Sequence, residues 1–335
     1  MSRVKPFDKS ELSPTVATSR LTIGLPVYNG EEFVGQAIEA LLAQTFKDFE
    51  LIVCDNASTD RTAAIADSYA AKDPRVCVLR NSANIGLARN YNRAARAASG
   101  VYFMWTAHDD LWEPDYVERC IEVLDANPDV ILACGLSTDI DECGKILPPD
   151  IVYREGTIPV DDLAQQGGAH QRFADMIGLE HVCEPIFGVM RLAVLRQTAM
   201  HGRFADADRV LLAELALHGR FAVVRKRLFY HREHAHRSMG LYPGRHERSV
   251  MMDPENEGKI LFPHFKELFE MHLAIQRSPV ALGTRLLCYG QLAWWSLRYG
   301  RRLFMDLQVA SVLIAKRILP MPVQRFLKRI LLPQR

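Results

Sequence analysis

Residues 101–112 read VYFMWTAHDDLW, an apolar run that ends in a histidine and two carboxylates with no basic residue beside them. Val101, Tyr102, Phe103, Met104 and Trp105 are too few for a helix and mostly β-branched or aromatic, which predicts a strand buried on both faces. Asp109 and Asp110 then fall just past its carboxyl end, the edge of an open α/β sheet where ligands bind. A divalent cation, Mg2+ or Mn2+, carrying a phosphorylated ligand is the partner that best suits paired oxygen donors. The competing reading is an acidic turn in which Asp110 or Glu113 caps a helix that begins at Pro114.

The flanking sequence repeats the same design. LTIGLPVYN, from Leu21, is a strand stopped by Pro26 and Asn29, and Phe33/Val34, Ala37/Ile38 and Leu41/Leu42 recur at helical spacing over Glu31 to Thr45. A strand from Phe49 to Cys54 runs into Asp55 and Asn56, with Ser58 or Thr59 as cap of a helix from Asp60 to Ala71. Arg75 to Leu79 is a third strand, and NSANIGLARN leads into a helix reaching Ala98, with Asn84, Gly86, Arg89 and Asn90 at its start. The Arg89 guanidinium suits a phosphate or the acids. A helix over Asp115 to Ala126, a strand over Val130 to Cys134 and a turn at Asp141 continue the rhythm, which predicts an α/β fold with a mostly parallel central sheet. Loop and helix are expected from 147 through the apolar run at Pro185, then an apolar helix behind Asp206 and Asp208, then a strand ending at His231, Arg232 and His234.

Composition bounds the reading. A chain of 335 residues, 48% hydrophobic and 24% charged, suffices for one large α/β domain and an appendage. Seven cysteines, odd in number and never spaced C-x-x-C, fit reduced thiols of a cytoplasmic protein. The first twenty residues are polar, with Pro6 and Pro14, and read as a flexible lead-in rather than a signal peptide. Charge is uneven: 283–335 hold ten Lys or Arg against the single acid Asp306, so that within a chain of net +1 the first 282 residues carry −8. Histidines 231, 234 and 236 form a cluster, but no Cys or acid stands at finger spacing to complete a zinc site.

Taken together, P-x-Y-N at Pro26 to Asn29, D-N-A-S-T-D at Asp55 to Asp60, N-x-G-x-x-x-N at Asn84 to Asn90, H-D-D-L-W-x-P-D from His108, Asp208 before a Leu-rich helix, and R-x-H at Arg232 to His234 resemble the family 2 nucleotide-sugar glycosyltransferases of GT-A fold. The resemblance covers about 20–240. It implies a nucleoside held by Pro26, Tyr28, Glu31 and Asp55, with Asn84 and Arg89 in the same nucleotide site. The family's metal-binding Asp-x-Asp falls on Ala107, His108 and Asp109, so Ala107 replaces the first carboxylate and Asp109 is left as the direct metal ligand. It places the catalytic base on Asp208, although Asp206 competes and spacing does not separate the two. Asp110, Asp206, Arg232 and His234 are further candidates for diphosphate or acceptor contacts.

The implied reaction is inverting transfer of a sugar from a nucleoside diphosphate, of UDP or dTDP type, to a hydroxyl of a glycan or lipid-linked glycan during polysaccharide synthesis. Nucleic acid is not an expected partner. The chemistry agrees, because the leaving diphosphate needs neutralising and the acceptor hydroxyl needs deprotonating. The rivals are a nucleotidyltransferase, which lacks support from any Gly-rich loop with Arg and Lys after the first strand, and a non-catalytic sugar-nucleotide or glycan-binding module.

The expected division is a lead-in at 1–20, a catalytic domain at 21–240 with a nucleotide-sugar half (21–112) and an acceptor half (113–240), and a linker with a basic amphipathic helical extension at 241–335. In that extension Trp294, Trp295, Tyr299 and Phe304 accompany aliphatic residues, interspersed with Arg298, Arg301, Arg302, Lys316, Arg317, Lys328 and Arg329. The apolar run Val309 to Ala315 is far short of the ~20 residues that span a bilayer. The composition suits a peripheral contact with an anionic membrane at its cytoplasmic face.

Overall fold

The computed structural model describes residues 19–148, 164–178 and 183–318. An eight-stranded sheet of order β3-β2-β1-β4-β7-β6-β8-β5 runs through it. Its strands are β1 (Leu21–Val27), β2 (Phe49–Asp55), β3 (Val76–Arg80), β4 (Tyr102–Trp105), β5 (Leu111–Trp112), β6 (Val130–Ile140), β7 (Val189–Arg191) and β8 (Arg220–Arg232). The helices are α1 (Val34–Leu42), α2 (Thr62–Ala70), α3 (Leu87–Ala97), α4 (Tyr116–Ala126), α5 (Ala169–Gly178), α6 (Leu192–Leu195), α7 (Ala207–His218), α8 (Ser238–Leu241), α9 (Arg245–Met252), α10 (Pro263–Arg277), α11 (Leu282–Arg298) and α12 (Gly300–Ile318).

β1, β2, β3 and β4 pair in parallel, as does β6 with β8, while β7 is antiparallel to both β4 and β6 and β5 is antiparallel to β8. β1, β2 and β4 are buried at every position, which is why they read as unbroken apolar runs. Pro26 is tolerated in a central strand because it lies beyond Gly24↔Trp105, the last register pair between β1 and β4. One core beneath the sheet joins Ile38, Leu41, Val117, Ile121 and Leu124 of α1 and α4 to the strands. The other joins α3, α5 and α7 to Phe103 and Trp105.

Four differences from the expected elements have local causes. The helix expected from Glu31 begins at Val34, because 31–33 form a turn on the Gly30 carbonyl and the Glu31 side chain leaves to accept from Arg61 N at 2.9 Å. Ser58 and Thr59 do not cap α2; Asp60 accepts from Thr62 N at 3.0 Å, and Ser58 Oγ accepts from Asn29 N. Neither Asp110 nor Glu113 caps α4, whose N-cap is Asp115; Leu111 and Trp112 leave the turn to pair with Tyr230 and Phe229. The run after Pro185 holds β7 in addition to loop and helix, a three-residue strand too short for any periodicity to show.

The C-terminal helices join the main core. Met271 and Ile275 of α10 and Cys288, Leu292 and Trp295 of α11 are buried with Phe173, Leu211 and Leu215. Arg277 of α10 donates twice to the buried Glu214 of α7, at 2.8 and 2.9 Å. Among the described residues the seven cysteines are free; Cys54, Cys120, Cys134 and Cys288 are buried and Cys143 is exposed. No described helix is long and apolar enough to cross a membrane. Of the expected lead-in and basic tail, residues 1–18 and 319–335 lie outside the described residues.

Candidate active site

The loops after β1, β2 and β3 are locked together by short polar side chains. Asp55, buried at the end of β2, accepts from Ser58 N at 3.1 Å. Asn56 accepts from Asn81 Nδ2 and Ile85 N and donates to Asn84 Oδ1, all within 3.0 Å. Asn90 donates to the Cys54 carbonyl at 2.7 Å, which fixes the start of α3 against the end of β2. Asn29, at φ 51, accepts from Thr59 N, and Asn is among the residues that tolerate this conformation. Of the sequence-predicted nucleoside contacts, Pro26 and Asp55 are buried at the sheet edge, while Tyr28 is 43% exposed beside them. Glu31 and Asn84 spend at least one oxygen each on the backbone, at Arg61 N and Gly86 N.

β4 delivers His108, Asp109 and Asp110 to the same edge. Gly30 makes room for the histidine: a Cβ there would stand 2.3 Å from His108 Cδ2. The long β6–β8 ladder, carried past three register shifts to Ile140↔Arg232, returns the end of β8 to these acids. Asp109 Oδ2 lies 2.9 Å from His234 Nε2, and Asp110 Oδ1 accepts from Arg232 N at 3.0 Å and lies 3.1 Å from His231 Nδ1. Burial opposes charge on Asp109, but the hydrogen bond to His234, with His108 and His231 nearby, outweighs it and holds the carboxyl below the usual range. Burial opposes charge on His231 too; Asp110 overrides it and pushes the imidazole up to about 9.

Arg232 is buried, its guanidinium spent on the carbonyls of Asp109 and Glu142, on Gln36 Oε1 and on the face of Phe33. It therefore shapes the turn that carries Asp109, with its charge turned away from any ligand. Asp110 is likewise sealed at 1% exposure, with Oδ2 unpartnered.

The third carboxylate stands on the first turn of α7. Asp206 stands at the N-cap position of this helix at φ 61, makes no side-chain cap hydrogen bond, and is held by Arg245 at 2.6 Å and Arg248 at 3.9 Å. Asp208 accepts from Arg209 N at 2.8 Å, and its charge is one of those that raise the Arg209 guanidinium. It sits by Cys183, whose thiol burial pushes up with Asp208 adding to the effect, and by His201, whose imidazole burial lowers against Asp208. Tyr91 links the two groups of acids. Burial raises its phenol strongly, and the charges of Asp109, Asp110 and Asp208 all reinforce the shift, so Tyr91 lies within electrostatic range of the acids after β4 and on α7. Trp105 Nε1 donates to the Tyr91 carbonyl, and Asn92 exchanges two hydrogen bonds with the His201 backbone, which ties α3 to the loop before α7.

Arg89 stands apart from these acids. It pairs with Glu255 at 2.6 Å and Asp253 at 3.5 Å, at the rim of a cavity of about 1210 Å³ between α3 and the α7–α10 segment. That cavity is not lined by Asp55, Asp109 or Asp208. Tyr91, Gln36 and Glu184 were not legible as site residues: each is a lone polar group on an otherwise structural element. Glu184 is pushed up by burial, beside Ser137 and with His231, Asp139 and Asp110 in range.

Among the described residues no group of three or more His, Cys, Asp or Glu side chains is disposed to hold a metal ion. Asp109 and His234 do meet, and the buried His234 Nδ1 has no partner. The Asp109 carboxylate fits a cation that completes its shell from substrate phosphates and water, as Mg2+ commonly does.

The family model described as Glycosyl transferase family 2 matches residues 22–192. An uncharacterized glycosyltransferase of Rickettsia typhi is 40% identical over 118 residues, 34% of this chain and 36% of that protein. Chondroitin synthase of Escherichia coli is 32% identical over 142 residues, 42% of this chain and 20% of that protein. These matches therefore span about a third or less of the relatives' own length. The crystal structure of S. aureus TarS 1–349 with UDP aligns over 92% of this chain and 86% of that chain, at TM-score 0.56 and 14% identity. The mannosyltransferase PcManGT of Pyrobaculum calidifontis, in complex with GDP-Man and Mn2+, aligns over 93% and 79%, at TM-score 0.53 and 17% identity. The likeness in fold extends through the C-terminal helices, well past the stretch matched by the family model.

Proposed function

We propose, from the premise that this chain belongs to glycosyl transferase family 2, that it is an inverting, metal-dependent transferase moving a sugar from a nucleoside diphosphate to a hydroxyl of a glycan or lipid-linked glycan. One observation carries the reading: the buried Asp55 and the Asp109–His234 pair stand at the ends of β2 and β4, and Asp208, on the first turn of α7, joins Asp109 in acting on the Tyr91 phenol. A donor of UDP or dTDP type would lie over Pro26, Tyr28 and Asp55. The setting in polysaccharide synthesis is favoured by the chondroitin synthase among the relatives.

Asp208 takes the proton of the acceptor hydroxyl as its oxygen bonds to the anomeric carbon, on the face opposite the diphosphate. The bond from that carbon to the phosphate oxygen breaks, its electron pair leaves with the diphosphate, and no covalent sugar–protein species forms. Asp109, hydrogen-bonded to His234, would hold a Mg2+ or Mn2+ ion, whose chemistry is to neutralise charge on the departing diphosphate. Arg232 and Gln36 fix the turn beneath Asp109, and Asn92 holds the loop before Asp208, so both acids meet substrate already oriented.

A thermal-shift series of nucleoside diphosphates with and without Mn2+, followed by hydrolysis of the matching diphosphate sugar, tests this. Manganese-dependent stabilisation by a diphosphate and slow sugar release are expected. Stabilisation without any sugar release, with or without glycan, would favour the binding module, and no stabilisation by any diphosphate would refute the reading.

A further inference from the structure

Seventeen large hydrophobic side chains are exposed among the described residues, and twelve of them fall between Phe262 and Ile314. On α11 they are ordered. Cys288, Leu292 and Trp295 face the core, while Leu282, Leu286 and Leu297 are 71%, 62% and 84% exposed, with only Gly290 and Ala293 between them on that side. A groove of about 520 Å³ between α10 and α11, lined by Phe265, Leu268, Phe269 and Ala293, continues this apolar surface. A globular helix ordinarily buries its apolar stripe and exposes charge, so a stripe on each side marks a surface made for a second environment.

We propose that this face of α10 and α11 seats the protein on an anionic lipid bilayer. Charge selects that occupant. From Leu282 to Ile318 there are six Lys or Arg and one acid, Asp306. Asp306 is buried and bonded to His264 Nδ1 at 2.7 Å, so α11 and α12 present no exposed carboxylate among the described residues, while on α10 Glu267 is buried and Glu270 pairs with Lys266 at 2.8 Å. Arg298 lies over the Trp294 ring at 5.1 Å, at the end of the leucine stripe, and no acid among the described residues pairs with it or with Arg301. Tryptophan flanked by arginine suits the headgroup layer, where the ring lies among acyl carbonyls and the guanidinium reaches phosphate. A second copy docked face to face is disfavoured, because a two-fold contact would set this uncompensated cationic surface against itself. No described helix can cross the bilayer, so the contact stays at its surface. The proposal extends the reading above by placing the enzyme where a lipid-linked acceptor is presented, but its physical basis is independent of the transfer chemistry.

Flotation of the full chain with vesicles of phosphatidylcholine alone, or with about 30% phosphatidylglycerol, tests it. Recovery is expected to be about tenfold higher with the anionic vesicles and to fall as salt rises from about 0.1 to about 0.5 M. Arg298→Glu with Arg301→Glu should abolish the anionic preference, and Leu286→Glu with Leu297→Glu should remove binding. All four sites are exposed, so melting temperature should hold; if the leucine pair unfolds, Leu297→Ser alone carries the same readout. Equal recovery with both vesicle types, binding undiminished in the variants, or a solution dimer that Leu297→Glu converts to monomer would each overturn the proposal. Hydrolysis of the diphosphate sugar, measured without vesicles, reports separately on the transferase.

Discussion

The loops after β1, β2 and β3 and the segments that carry Asp109, after β4, and Asp208, on the first turn of α7, use polar side chains in opposite ways. In the first group Asn29, Asn56, Asn81, Asn84 and Asn90 bond to one another and to backbone amides or carbonyls. In the second, Asp109 meets the His234 imidazole, and Asp208 meets the Arg209 N–H and the Cys183 thiol. Closing polar valences within the protein makes a rigid cradle, whereas a carboxylate with few hydrogen-bond partners stays available to a ligand. The cradle should govern stability and the open acids should govern turnover.

The largest effect should come from the open side. Asp208→Asn is expected to lose turnover by about 10² to 10⁴, the worth of a positioned base, with donor affinity and melting temperature unchanged. Sugar-release kinetics beside calorimetry check both halves of that statement. If Asp206→Asn is the inactive variant while Asp208→Asn turns over, the roles are exchanged and the comparison fails on this side.

Asp109→Ala should abolish manganese-dependent binding of the diphosphate, a loss of several kcal/mol in the transition state. His234→Ala should act in the same direction, because the pair works together. Titration calorimetry with the nucleoside diphosphate, with and without Mn2+, decides; binding that stays metal-dependent in both variants would remove Asp109 from the site.

On the closed side the signature inverts. Asn56→Ala strands the donors of Asn81 and Ile85, and each buried group left unpaired costs about 1–3 kcal/mol of stability. Denaturant unfolding should show that loss, with turnover close to wild type well below the midpoint. A fall in turnover without a change in stability would mean that Asn56 meets substrate directly.

The smallest effect is expected at Asp206. Its ion pair with Arg245 is partly solvated, and Arg245 keeps the buried Glu267 as a second partner, so Asp206→Asn should cost about 1 kcal/mol or less. Unfolding midpoints of this variant and of Asn56→Ala, compared directly, sharpen the contrast between a peripheral latch and the cradle.

Much of this was legible in the order of residues. Buried strands show as unbroken apolar runs, helices as 3.6-residue periodicity, and the acids after β2 and β4 as polar groups where such runs stop, because each signal arises within a few neighbouring residues. What β7 lacked was length: three residues between a 3₁₀ turn and a short helix produce no period. The sequence by itself thus determined the alternating α/β plan, the acids at the carboxyl ends of β2 and β4, and the family. Only the tertiary structure distinguished Asp206 from Asp208, since Arg245 and Arg248 reach Asp206 from a helix some forty residues on. It likewise decided that Arg232 is buried beneath Asp109, that Arg89 turns to Glu255, and that α11 leaves its leucines outside. The physical reason is common to all four. Which charge a side chain pairs with, and which face of a helix is covered, depend on groups brought near by chain return, and no local pattern encodes that distance.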